Sequence, residues 1–274
     1  MKIALAQLNY TIGDISANKD KIIANIERAK SENADVVLFA EQAISGTPAF
    51  DLLRKTTFLE LCDDALTEIA SHCKGITAIV GVPTLGENGT QSAAAIIERG
   101  KVVRYITKAN ITARREMGFL SGGKGAESIK IAGEKVCVVV GDDFSQLRGL
   151  DNNVKHIFSI NARRYGKGML SYRYQTMHNL AYIESKDVVI INHVGGSGEI
   201  VYDGTSGIIN SKGKATLIMK SFEEDFAIYD TEADNKPYEC PMRFTATSAL
   251  RTTSVQRYSV CATTSTRAAT QRLA

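Results

Sequence analysis

Apolar and polar positions alternate from residue 2 to residue 8, the period of a half-buried strand, and Ile22, Ile23, Ile26 and Ala29 then fall at helical spacing. The run Val36-Val37-Leu38-Phe39 follows, which predicts a β-α-β opening. Phe58, Leu61, Cys62, Ala65, Leu66 and Ile69 line one face of a second helix, and residues 77–82 read as the next strand. Beyond this point the pattern changes. Residues 93–98 and 102–106 flank Arg99-Gly100-Lys101, and residues 128–131 and 135–140 flank Gly133, so two antiparallel hairpins are predicted to extend the sheet. Strands at 156–160 and 188–192 enclose a helix at 170–184, and shorter strands at 200–202, 207–209 and 226–230 close the regular part.

This succession makes an α/β fold, and 274 residues fit one large domain. Its 44% hydrophobic and 23% charged residues suffice for a full core and exclude a disordered chain. The domain is expected over 1–236. A basic tail rich in Ser and Thr, loosely docked at most, is expected over 237–274. Charge sharpens that division. There are 33 basic and 30 acidic residues, but Arg243, Arg251, Arg257, Arg267 and Arg272 all follow Glu239, after which no acid occurs. The body is therefore slightly acidic and carries no nucleic-acid footprint. No apolar run reaches the ~20 residues of a membrane helix, and the start lacks a signal-peptide core, so a cytoplasmic protein without membrane contact is expected.

Cys62, Cys73, Cys137, Cys240 and Cys261 lack ligand spacing, as do His72, His156, His178 and His193, so reduced thiols and no metal are expected. Gly118-Phe-Leu-Ser-Gly-Gly-Lys124 has the glycine and lysine spacing of a phosphate-binding loop. Gly125 stands where that loop needs Ser or Thr, and no apolar strand precedes it, so the match is rejected.

Three predicted strands end on residues with chemical potential: Glu41 after 36–40, Lys108 after 102–107, and Gly141-Asp142-Asp143 after 136–140. In layered α/β folds sites are built at the carboxyl ends of strands, so a carboxylate and an ammonium can converge there.

The words around these positions resemble the nitrilase or carbon–nitrogen hydrolase superfamily, and within it the glutaminase domain of glutamine-dependent NAD synthetases. The likeness spans roughly residues 1–232. It rests on Met1-Lys-Ile-Ala-Leu-Ala-Gln-Leu-Asn9, Phe39-Ala40-Glu41, Asp51-Leu52-Leu53, Lys108, Gly141-Asp142-Asp143, Asn192-His-Val-Gly-Gly196, Glu199-Ile-Val-Tyr-Asp-Gly204 and Phe222-Glu-Glu-Asp225. The resemblance implies a four-layer α-β-β-α sandwich, no cofactor, a small amide or carboxylate ligand, and a homodimer or higher homo-oligomer.

It also implies roles for individual residues. In that family a cysteine thiolate attacks an amide carbon, a glutamate relays the proton that expels ammonia, and a lysine stabilises the oxyanion. Glu41 matches the glutamate, Lys108 the lysine, and Glu116 the second glutamate that orients the lysine. The nucleophile position falls on Gly141, which has no side chain to attack with. Thr47, Phe119, Asp142, Arg163 and Arg173 fall at ligand-binding positions, where Thr47 lacks an expected aromatic ring and Arg163-Arg164 replace a serine and a proline. Removing the nucleophile from a coupled catalytic set costs on the order of 10⁶ in turnover.

The leading expectation is therefore a degenerate, glutaminase-like protein that binds a ligand or assembles as a subunit. Its alternative is an active amide hydrolase using Asp143 or Ser145, and the plainest account makes Glu41, Lys108 and Glu116 a buried ion network. Cys137, four strand residues from Gly141, is about 13 Å away at ~3.3 Å per residue and is discounted. Strand alternation turns Asp142 to the face opposite position 141. No ATP-binding loop follows residue 225, so NAD synthesis by this chain alone is not expected.

Overall fold

The computed structural model describes residues 1–112 and 116–233, so the expectations for the tail at 237–274, the boundary at 236, Cys240 and Cys261 lie outside the described residues. The chain opens with β1 (Lys2–Gln7), α1 (Ile15–Ser31) and β2 (Val36–Leu38), continues through α2 (Thr56–His72), and reaches β3 (Thr77–Gly86), β4 (Gly89–Glu98) and β5 (Lys101–Thr107). A second half follows: β6 (Glu127–Ile131), β7 (Glu134–Val140), β8 (Val154–Ile160), α3 (Met169–Glu184), β9 (Asp187–Ile191), β10 (Val194–Ser197), β11 (Ile200–Asp203), β12 (Gly207–Ile209), β13 (Ala215–Ile218) and β14 (Asp225–Asp230).

These strands form two six-stranded sheets, ordered β14-β1-β2-β3-β4-β5 and β13-β12-β9-β8-β7-β6, with β10 and β11 as a separate ribbon. In each sheet three consecutive central strands are parallel, β1-β2-β3 and β7-β8-β9, while the flanking pairs are antiparallel. Parallel neighbours need crossovers: α1, α2 and α3 supply three of them and cover the outer faces, while β7 reaches β8 through the short turn at Gly141–Gln146 and a loop. The first hairpin extends the opening sheet as the pattern predicts. The second does not: β6 and β7 start the other sheet, because the apolar face of β7 packs against the first sheet rather than pairing with it.

Burial separates three apolar layers. Ile22, Ile26 and Ala29 of α1 and Cys62, Leu66 and Ile69 of α2 pack on one face of the first sheet. Ile3, Leu5, Leu38 and Ile79 meet Val138, Phe158, Ile160 and Val189 between the sheets. Tyr174, Met177 and Leu180 of α3 cover the outer face of the second sheet. Alternate positions of one strand serve two layers, as Val37 against α1 and Val36 against the second sheet show. The result is the four-layer α-β-β-α arrangement.

Local signals explain the helix limits. Asp14 caps α1 by accepting from the Ala17 N–H at 3.1 Å, and Arg28 and Lys30 stand in its last turn, where the helix dipole favours cations. The pattern misses β10, whose sequence Val-Gly-Gly-Ser has no β-forming bulk, and β13, a short strand at the sheet edge. Cys62, Cys73 and Cys137 are buried and unpaired. Burial pushes the thiols of Cys62 and Cys73 up to about 12 and that of Cys137 to about 11, so they stay protonated and inert.

Phe158 is fully buried between the sheets. Phe158→Ala is expected to lower unfolding stability by about 3–5 kcal/mol, measured by denaturant titration with an unchanged m-value.

Candidate active site

The predicted strand ends do meet, though by more irregular backbone than the pattern suggests. β2 stops at Leu38, and Glu41 lies in a turn beyond the parallel strands, its N–H on the Asn161 carbonyl at 3.3 Å. His193 holds the other side of that turn, its Nε2–H donating to the Glu41 backbone oxygen at 2.5 Å. Burial holds the His193 ring down to about 4, so it is neutral and donates through one nitrogen. Lys108 directly follows β5, its N–H on the Ser92 carbonyl at 2.8 Å.

The segment that mimics a phosphate loop proves to be a strap over β5. Its N–H groups are spent on the end of β5 and the residue after it, Gly123 on the Lys108 carbonyl at 2.7 Å, Gly125 on the Thr107 carbonyl at 2.9 Å and Lys124 on Thr107 Oγ1 at 2.9 Å. A Cβ on Gly122 would stand 2.4 Å from the Ala109 oxygen, and one on Gly123 would stand 2.1 Å from Thr107 Oγ1. The glycines are there for close approach.

Lys108 Nζ lies 3.2 Å from Glu41 Oε1 and 3.0 Å from Glu116 Oε2, and both Lys108 and Glu41 are buried. Ser92 Oγ donates to the same Glu41 oxygen at 2.9 Å, which leaves Glu41 Oε2 without a bond in this set. Burial pushes the Glu41 carboxyl above the usual carboxylate range, with Lys108 opposing and Glu116 adding to the rise. Burial also works against the Lys108 charge, but Glu41 and Glu116 together overcome it and hold the ammonium above its ordinary value. One cation between two carboxylates leaves a surplus negative charge, which is why Glu116 adds to the rise at Glu41.

Gly141 directly follows β7 and begins a tight turn over Gly141–Gln146, with φ of +61°, a left-handed conformation that favours glycine. A Cβ there would stand 2.7 Å from Lys108 Cε, 2.8 Å from Lys108 Nζ and 3.0 Å from Glu41 Oε2. The lysine end therefore occupies the space directly over this glycine.

A cavity of about 390 Å³ opens beside the triad. Glu41, Lys108, Glu116, Asp142 and Arg163 line it as the sequence implies, together with Arg164 and Ser145. Thr112, Gln146, Met169 and Tyr172 also line it, and only the folded chain reveals them. Ser92 and the positioning role of His193 are likewise invisible in the sequence, since both are single polar residues in apolar strands or their ends.

Other placements differ from expectation. Asp142 is not turned away, because strand alternation stops at Val140. Its carboxylate meets Arg163 at 2.6 Å and accepts from Thr112 Oγ1 at 2.8 Å. Thr47 and Phe119 line a separate water-sized recess that shares only Glu116 with the main cavity. Arg173 is not on the cavity wall. It is buried on α3 in a two-pronged pair with Asp203 at 3.1 and 3.0 Å, a structural fork.

Asp143 and Ser145, the alternative nucleophiles, are both hydrogen-bonded to the backbone. Asp143 accepts from the Ala109 and Asn110 N–H groups and from Asn110 Nδ2, at 2.6, 2.9 and 2.9 Å. Ser145 Oγ donates to the Asp142 carbonyl at 2.8 Å. Cys137 is buried in the layer that faces α3. None of the three described cysteines lines the cavity. Among the described residues there is no cluster of metal-ligating side chains, and no helix is long and apolar enough to cross a membrane.

Comparison with known proteins shows what the chain is similar to. The glutamine-dependent NAD(+) synthetase of Aquifex aeolicus is 32% identical over 235 residues, covering 82% of this chain and 41% of the relative. That of Acinetobacter baylyi is 28% identical over 246 residues, covering 87% and 45%. The chain thus spans less than half the length of these relatives. Among solved structures, the Acinetobacter baumannii NAD+ synthetase bound to ADP superposes with a TM-score of 0.75 at 30% identity, over 83% of this chain and 44% of that one. An amidase of Nesterenkonia, with acrylamide added at its active site cysteine, matches in fold with a TM-score of 0.72 at 20% identity, over 86% and 94% of the two chains. No family model matches the chain. With its two mixed six-stranded sheets this chain has the nitrilase-type fold, and over most of its length it is similar in sequence to part of the glutamine-dependent NAD synthetases.

Proposed function

We propose that this protein holds a small carboxamide or carboxylate in the cavity beside Gly141 and does not hydrolyse it by thiol chemistry. The observation that carries this reading is the geometry over Gly141: a left-handed glycine whose missing side chain is replaced by the end of Lys108. Gly141 stands where the superfamily resemblance puts the attacking cysteine. Without that sulfur no acyl-enzyme bond forms, and the remaining groups recover little of the ~10⁶ that a nucleophile supplies.

What remains is a recognition pair. Lys108 has a third N–H beyond those given to Glu41 and Glu116, and Glu41 Oε2 is its neighbour. With Glu41 ionised the pair is one donor and one acceptor, the complement of a carboxamide. With Glu41 protonated it is two donors, the complement of a carboxylate.

A second reading concerns assembly. The outer face of α3 exposes Tyr172, Tyr182 and Ile183, with Met169 at its start. The helix has two charged residues: Arg173 is buried, and Glu184 is spent on the Gly149 and Leu150 N–H groups at 2.9 and 2.8 Å. This face, aromatic with the uncharged polar residues Gln175 and Asn179 and with His178 among its rings, suits a second copy of this chain, and the homodimer would form there.

Three outcomes follow. Purified protein is expected to release no more ammonia from glutamine or short aliphatic amides than its Glu41→Ala variant in a coupled ammonia assay; a clear excess overturns the reading. In calorimetric titrations butyramide is expected to bind more weakly as pH falls through the raised Glu41 value, because protonation removes its acceptor, while butyrate binds more tightly over the same interval. Identical slopes for the two ligands would remove Glu41 from recognition. Light scattering is expected to give a dimer mass for the wild type and a monomer mass for Ile183→Glu.

A further inference from the structure

Six charged side chains line the cavity, three of each sign: Lys108, Arg163 and Arg164 against Glu41, Glu116 and Asp142. They are not equally committed. Glu41 and Glu116 share Lys108 at 3.2 and 3.0 Å, and Asp142 is taken by Arg163 at 2.6 Å and by Thr112 at 2.8 Å. Every cavity carboxylate therefore already faces a protein cation. Arg164 has no hydrogen bond or ion pair from its side chain among the described residues, and its side chain is exposed. Its backbone is fixed nonetheless. It bridges Tyr202 on β11, its neighbour Tyr165 donates to the Val201 carbonyl at 2.7 Å, and Arg163 is clamped by Asn192 on both sides, at 2.7 and 3.1 Å. Tyr172 stands on the same wall.

From this asymmetry we infer that the ligand is an acid amide: a carboxamide seated on Lys108 and Glu41, with an anionic group at the far end against Arg164 and no ammonium beside it. The inference rests on the binding reading given above and specifies its ligand. An uncommitted guanidinium offers a fork of donors to a carboxylate. Glu41 and Glu116 stand at the amide seat and Asp142 is taken by Arg163 and Thr112, so an α-ammonium beside Arg164 finds no carboxylate of its own and the zwitterion glutamine gains less than its deamino analogue. At about 390 Å³ the cavity accommodates a chain of five carbons.

The test compares three probes of similar size by calorimetry on the full chain at a fixed pH: 4-carbamoylbutanoate, which is anionic, pentanamide, which is neutral, and L-glutamine. A charge-assisted bond contributes roughly 1.5–3 kcal/mol, so 4-carbamoylbutanoate is expected to bind at least about tenfold more tightly than pentanamide. It is also expected to bind more tightly than glutamine. Arg164→Ala is expected to erase the preference over pentanamide while leaving pentanamide affinity unchanged, and Arg164→Lys to restore part of it. Because Arg164 is exposed and unpaired, loss of folding does not confuse the result, and a thermal melt confirms it. Pentanamide binding as tightly as the anion, glutamine binding more tightly than both, or Arg164→Ala leaving the preference intact each overturns the acid-amide inference while the binding site stands. Failure of all three probes to bind overturns the underlying reading itself, and the inference with it.

Discussion

An ammonium buried between two carboxylates cannot be treated as three independent charges, and the site is organised around that constraint. Taking Lys108 out of water costs several kcal/mol unless its partners are close, and Glu41 and Glu116 are close. The pair of acids then carries one charge too many for a single cation. Burial resolves the excess by favouring the protonated form of Glu41, whose second oxygen faces the space over Gly141. The same three groups thus form both a structural clamp and a polar surface whose donor pattern depends on one proton.

The layered fold makes this clamp possible. Glu41 and Lys108 leave the first sheet and Gly141 leaves the second, so the triad sits where the ends of two independently twisted sheets approach each other. Each contributor is pinned by main-chain contacts that are not themselves chemical: His193 and Asn161 on Glu41, Ser92 and the glycine strap on Lys108, the turn after β7 on Gly141. Asp143 belongs with these supports. Its three N–H bonds hold the backbone just after Lys108.

Gly141 and Arg163 shape the same volume. The glycine lets Lys108 settle over the strand end, and Arg163 closes the opposite side by pairing with Asp142 and stacking on Phe144 at 4.6 Å. The cavity is thereby furnished with paired charges and, in Arg164, one cation without a side-chain partner among the described residues.

The sequence by itself determined the helices, most strands and the two hairpins, because amphipathic period and turn residues are local properties. It also determined that Gly141 has no reactive atom, and through resemblance it named Glu41, Lys108 and Glu116 together. Tertiary structure alone decided the rest. The assignment of β6 and β7 to a second sheet depends on which apolar face finds a partner, and short strands such as β13 exist only because a neighbour pairs with them. Asp142 looks turned away by strand alternation and is brought back by a turn the pattern does not encode. Arg173, which sits in a site-like word, spends its charge on Asp203, thirty residues away. Side-chain direction and charge commitment depend on neighbours distant in sequence, and no local pattern records who those neighbours are.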